Sequence, residues 1–235
     1  MSINNIADLP LECAYCGSNE NLTKEHVIPR SFEAEKAANW EPVIVWACSD
    51  CNGEKSKLDS KVKDLFAIDI FGGNHDTAQK LMAGKIKRSV QRSIELGHRN
   101  VMLELAKSMS PYLILGADGI VLAEGMGTKL SDDPFTPWFS LVIKGIAMAL
   151  SNTRFAEAFD LDLGRYYPDS YGLIREQLQA IGAPDPVVLG SHTKFTYRTV
   201  DGASTGFGVW VFQFYGDVVF AAFVTPKGMI PEVEE

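Results

Sequence analysis

Every cysteine in this 235-residue chain falls in one of two Cys-x-x-Cys pairs, Cys13/Cys16 and Cys48/Cys51. A pair at that spacing presents two thiolates from one turn, and two pairs supply the four ligands of a tetrahedral zinc ion. Such a centre keeps no open position for water, so the zinc it would hold is structural. The remaining polar residues of the stretch need another explanation. Between the pairs stands Glu25-His26-Val27-Ile28-Pro29, and directly after Cys51 come Asn52 and, three residues on, Lys55. Glu25 offers a carboxylate and Asn52 a carbonyl oxygen, hard donors of the kind Mg²⁺ or Mn²⁺ takes. A neutral histidine can deprotonate a water molecule, and a divalent cation can stabilise charge building on phosphorus. The chemistry such a set suits is phosphodiester hydrolysis.

These residues must be positioned by short elements. Cys13-Ala14-Tyr15-Cys16-Gly17 reads as a knuckle whose glycine permits a tight turn. Thr23 to Ile28 reads as a strand that Pro29 stops, and Val43 to Ala47, β-branched and aromatic, as a second strand. From Ser49 a helix is expected, with Leu58, Val62, Leu65, Phe66 and Ile70 at helical spacing, broken by Gly72-Gly73-Asn74. Successive strand residues face opposite ways, so Glu25 and His26 share a site only if the strand ends or kinks there.

Taken in order, C-A-Y-C-G, E-H-V-I-P, an apolar strand into C-S-D-C, and N-G-E-K resemble the His-Asn-His (HNH, ββα-metal) endonucleases, and more closely the subgroup clasped by a four-cysteine zinc site. The resemblance covers roughly residues 11–60, about a quarter of the chain. It implies a metal-dependent endonuclease with His26 as general base and Glu25 and Asn52 holding a catalytic Mg²⁺ or Mn²⁺. Cys13, Cys16, Cys48 and Cys51 would bind the structural Zn²⁺, and Lys55, one helical turn after Asn52, suits a phosphate contact. Two positions depart from the family pattern: Asn52 replaces its last histidine, and its middle asparagine falls on Val43, with Asn39 nearby. A structural reading of Asn52, bracing the helix start, stays open.

The remainder reads differently. A helix is expected over about 76–96 and a shorter one over about 99–109. A hairpin is expected from Tyr112–Leu115 and Ile120–Ala123, then a loop over 125–137 and an apolar helix from Trp138 to about Phe155. A further helix over 170–181 and strands at 187–189, 194–200, 207–214 and 218–224 complete an antiparallel sheet. The fold class is therefore α+β: a zinc-clasped ββα-metal domain with following helices over 1–110 (core 11–70), then a second α+β domain over 111–235.

Net charge is −8, but residues 1–110 carry a net of −1 and residues 111–235 a net of −7. Ten Lys and Arg residues fall within 55–99. A basic segment after the cysteines suits nucleic acid, with DNA the expected partner, whereas the acidic half suits a protein partner or a homodimer. No apolar run approaches the roughly 18–20 residues of a membrane span, and the first residues lack a signal-peptide pattern. The expected location is cytoplasmic, where paired cysteines bind metal rather than form disulfides. The alternative reading is a non-catalytic zinc module that binds nucleic acid or a partner.

Overall fold

The computed structural model describes residues 3–32, 42–68, 76–97, 107, 110–115, 121–127, 133–155, 157–166, 169–189, 193–200, 206–216 and 218–229. Strands β1 (Leu22–His26) and β2 (Ile44–Cys48) pair antiparallel, Leu22 opposite Cys48 and His26 opposite Ile44. Both sit within a residue or two of the expected spans. Beyond the last pair, the Val27 amide still donates to the Val43 carbonyl at 2.9 Å. Helix α1 (Ser49–Ile68) leaves β2 without an intervening residue, so Cys48 and Cys51 stand at one strand–helix corner. This is the ββα unit the motif requires.

Along α1 the buried face changes character. Lys55, Asp59, Val62 and Phe66 follow one another at spacings of four, three and four and are all buried. That spacing is one helix stripe, polar in its first two turns and apolar afterwards.

The next helical stretch is α2 (Asp76–Leu81), a π-helical passage over Met82–Ile86, and α3 (Lys87–Leu96), closed by Gly97 in the left-handed conformation at φ +65°. Strands β3 (Ser110–Leu115) and β4 (Val121–Gly127) form the expected hairpin, with β4 taking in three residues assigned from sequence to a loop. Asn39, Ile70, the glycine break at 72–74, the turns at 116–119 and 201–202 and, residue 107 apart, the helix over 99–109 lie outside the described residues.

Helix α4 (Phe135–Ser151) starts three residues earlier than expected and ends at Asn152, whose left-handed φ of 57° stops it before Phe155. Apolar nearly all round, it is buried on more than one side. Trp138, Phe139, Val142, Ile143, Ile146 and Ala147 have no measurable exposure. On one side α4 meets the ββα unit: Gly145 approaches β1's exit so closely that a Cβ there would lie 2.7 Å from a Val27 methyl. On the other side it meets a sheet.

That sheet runs β5 (Phe159–Tyr166), β9 (Val218–Pro226), β8 (Gly208–Phe214), β7 (Thr193–Thr199), β6 (Val187–Val188), all antiparallel. Strand β5 is not among the strands expected from sequence. Its Phe-Asp-Leu-Asp-Leu alternation has period two, but aspartates are depleted in strands and hide the signal. In β8, Trp210, Phe212 and Phe214 join the core shared with α4, while Val211 joins a separate cluster with Tyr171 and Leu178 of helix α5 (Ser170–Ala180). The aromatic run in β8 is thus core, not an exposed stacking surface.

One aromatic cluster joins both halves. Phe32 stacks on Trp138 at 5.5 Å, Phe66 lies 4.6 Å from Phe214, and Phe139 lies 5.0 Å from Phe220. The Tyr215 hydroxyl donates to the Phe32 carbonyl at 3.0 Å, across 183 residues of sequence.

Gly145→Ala should therefore destabilise the fold by about 1–3 kcal/mol through overpacking. Gly53→Ala on α1, where a Cβ meets nothing within 4 Å, should stabilise it by about 0.5–1 kcal/mol. Urea denaturation of the two variants checks the contrast.

Candidate metal centre and active site

The knuckle brings the first thiol pair to the corner that holds the second. The Ala14 amide donates to the Trp46 carbonyl at 2.8 Å, docking the knuckle on β2, and the Gly17 amide donates back to the Cys13 carbonyl at 2.9 Å. Gly17 takes φ +82°, which an L side chain rarely adopts, and a Cβ there would collide with the Arg154 guanidinium at 2.8 Å.

The Sγ atoms of Cys13, Cys16, Cys48 and Cys51 all lie within 4.8 Å of one another. Cys16 and Cys48 are 3.7 Å apart, close to the edge of about 3.8 Å that zinc–sulfur bonds of ~2.3 Å give a tetrahedron. Burial pushes the Cys13 thiol up, but amides of Cys48, Cys16 and Tyr15 donate to it and bring it down to about 7. Cys51 is pushed well above the usual thiol range by burial and by its thiol neighbours. Four thiols this close are the donor set of a bound cation, and four soft sulfur donors fit zinc. A zinc ion with four thiolates is a dianion, and two cations of the second half flank the cluster. Arg154 covers Gly17. Lys144 is held below its usual range by burial and Arg154, while Cys51, Cys16 and Cys13 pull it back.

Strand β1 and helix α1 lie side by side and are joined at two rungs. At the first, the Asn52 amide nitrogen donates to the Thr23 hydroxyl at 2.8 Å, and that hydroxyl donates to the Ala47 carbonyl at 3.1 Å. Asn52 is thus tied to Thr23, leaving its carbonyl oxygen as its available donor atom to a metal. At the second rung, Lys55 Nζ lies 2.9 Å from Glu25 Oε1. The same ammonium donates to the His26 carbonyl at 3.2 Å and to both carboxylate oxygens of Asp59, at 2.9 and 3.0 Å.

Lys55 has no exposed surface. Where the sequence suggested a phosphate contact, the structure places its charge inside, among Glu25, Asp59 and the His26 backbone. Asp59 in turn accepts from the Trp138 indole N–H at 2.7 Å. Neither Asp59 nor Trp138 stood out in the sequence. The available signal was Asp59's position four residues after Lys55 on the stripe that continues into Val62 and Phe66.

Burial raises the carboxyl groups of Glu25 and Asp59, against the pull of Lys55 on both and of Trp138 on Asp59. Burial likewise pushes the Tyr15 phenol up, helped by the charges of Glu25 and Asp59. His26, half-buried at the end of β1, has its pKa lowered by burial and by the charges of Arg30 and Lys55. Val43, at the position of the family's middle asparagine, is buried in the core.

The matching family is HNH endonuclease, over residues 13–58. Residues 13–58 are an HNH endonuclease domain. The four-cysteine cluster is consistent with the zinc-binding subgroup, and the family implies nuclease activity on nucleic acid. No curated protein and no solved structure matches the chain. Among the described residues no helix is long and apolar enough to cross a membrane.

The purified protein should carry one zinc ion per chain by elemental analysis. Cys48→Ser should abolish it and lower the melting temperature, because metal binding and folding of the HNH domain are linked. Lys55→Met should cost about 3–5 kcal/mol in chemical denaturation, since it strands two buried carboxylates.

Proposed function

We propose that the protein is a divalent-metal-dependent endonuclease that hydrolyses phosphodiester bonds in DNA, with His26 as general base. The observation that carries this reading is the contact of β1 with the start of α1, where Lys55 holds Glu25 Oε1 and the His26 carbonyl and Asn52 holds Thr23, beside the four-thiol cluster. Burial and two neighbouring cations favour the neutral imidazole, the form that accepts a proton. His26 takes the proton of the attacking water as its oxygen bonds to phosphorus and the opposite P–O bond breaks.

Glu25 and Asn52 would hold a hard cation through oxygen, and the donor set fits one. Two buried carboxyl groups, both raised by burial, share one ammonium, and a cation at Glu25 would favour its ionised form. When bound, Mg²⁺ or Mn²⁺ supplies Lewis-acid stabilisation of the phosphate and of the departing oxygen. Lys55 serves by fixing the Glu25 carboxylate and the His26 backbone together, and not by touching phosphate.

DNA would approach along an exposed basic face. Lys57 and Lys61 on α1 and Lys87, Arg88 and Arg92 on α3 are all exposed. Contacts of this kind to phosphate position a duplex without reading its sequence. The acidic segment from residue 111 to 235 would then be a second unit, turned to a partner protein or a second copy of the chain rather than to DNA.

Plasmid cleavage tests the proposal. Wild-type protein should cut with Mg²⁺ or Mn²⁺ and not with EDTA. His26→Ala should lose about 10²-fold or more in rate while keeping its zinc and its melting temperature. A zinc-loaded wild-type protein that binds DNA but cuts neither duplex nor single strands would instead support the non-catalytic binding module.

A further inference from the structure

Among the polar contacts by which the second half meets the ββα unit, the one between Trp138 and Asp59 has an arrangement beyond packing. Trp138 lies on α4, 79 residues after Asp59, yet its indole N–H donates to Asp59 Oδ1 at 2.7 Å with both side chains buried. Asp59 uses both carboxylate oxygens on Lys55, and Lys55 holds Glu25 at 2.9 Å. The chain of contacts therefore runs from α4 to the carboxylate assigned to the metal. Trp138 itself is clamped: Phe32 stacks on it at 5.5 Å with an interplanar angle of 7°, and Phe66 meets it edge-on at 5.9 Å.

We propose that Asp59 and Trp138 are positioning residues of the nuclease site, and that α4 of the second half completes it by setting how Lys55 shares its charge with Glu25. This rests on the endonuclease reading above. Two carboxylates compete for one ammonium. An ammonium has three N–H donors, and here they serve two carboxylates and a backbone carbonyl. With Asp59 anchored by the indole, Lys55 is held on the α1 side of the junction and takes one oxygen of Glu25. Without the anchor, or without the charge of Asp59, Lys55 closes more fully on Glu25 and draws its carboxylate away from a divalent ion. Groups that orient a metal ligand in this way typically change metal affinity about 10–100-fold when altered.

The HNH domain alone would keep its cysteines, His26, Glu25 and Asn52, yet its interior would lack the donor for Asp59. The second half is then part of the metal site and not only an attached unit.

The test uses the full-length, zinc-loaded protein and compares Trp138→Phe, Asp59→Asn and His26→Ala with wild type. Phenylalanine keeps the stacking on Phe32 and removes only the indole donor, while asparagine keeps an acceptor for the indole and removes the charge. Mn²⁺ affinity is measured directly by electron paramagnetic resonance of the free ion, alongside the metal dependence of plasmid cleavage. Trp138→Phe and Asp59→Asn should retain zinc but bind Mn²⁺ about tenfold more weakly. Half-maximal cleavage should need correspondingly more metal, with the rate recovering at saturation. His26→Ala should keep wild-type Mn²⁺ affinity.

Wild-type Mn²⁺ affinity in both relay variants overturns the positioning role and leaves the nuclease intact. If the variants weaken Mn²⁺ binding but wild type cuts nothing, the relay stands and the nuclease reading falls. A wild-type protein that binds no Mn²⁺ overturns both. Should Trp138→Phe fail to fold, Asp59→Asn alone decides, because its side chain keeps the same shape.

Discussion

An ammonium taken out of water has to be surrounded by acceptors, and Lys55 shows how much of this molecule is arranged around that requirement. Its partners come from three places: the Glu25 side chain and His26 carbonyl on β1, Asp59 one turn further along α1, and, through Asp59, the indole of Trp138 on α4. A buried ion pair with imperfect partners costs more than an apolar core of the same size. Here every N–H of the lysine is used. The same contacts that satisfy the charge lock β1 against α1, and therefore fix where His26 stands and where Glu25 points.

The zinc clasp and the buried polar cluster divide the work of holding a small ββα unit together. The strands are only five residues each, and the buried knuckle residues Cys13, Ala14 and Tyr15 depend on the core of the whole chain. Four thiols gathered within 4.8 Å compensate by linking the knuckle to the strand–helix corner through metal. Farther along α1 the cohesion becomes apolar, with Val62 and Phe66 running into the aromatic cluster of Phe32, Trp138, Phe139 and Phe214. Polar interactions define the site, and aromatic packing seats it on the rest of the chain.

Charge is separated by depth as well as by sequence. The basic residues of α1 and α3 that face solvent are suited to phosphate, whereas Lys55 is turned inward to carboxylates and the half-buried Lys144, over the Phe159 ring, feels the charge of the cysteine thiols. Counting lysines along the chain does not distinguish these uses. Only burial does, because the same ammonium is a diffuse attractor in water and a specific structural partner inside.

The amino-acid sequence by itself determined the two Cys-x-x-Cys pairs, the E-H-V-I-P segment and Asn52, and with them the HNH resemblance and the four-thiol cluster. It also showed the apolar α4 and most of the sheet, because short-range patterns of period two and 3.6 report local structure directly. Strand β5 escaped because its aspartates mask its alternation. What tertiary structure alone decided is which polar residues are buried and with whom. Lys55 has the look of a surface lysine, Asp59 of a solvated helix acid and Trp138 of an ordinary core residue, and the four-residue spacing of Lys55 and Asp59 is the one local hint of their pairing. Their partnership depends on α4 folding back across 79 residues onto α1. Desolvation is a property of the packed molecule, so the roles it assigns appear only once the chain has closed on itself.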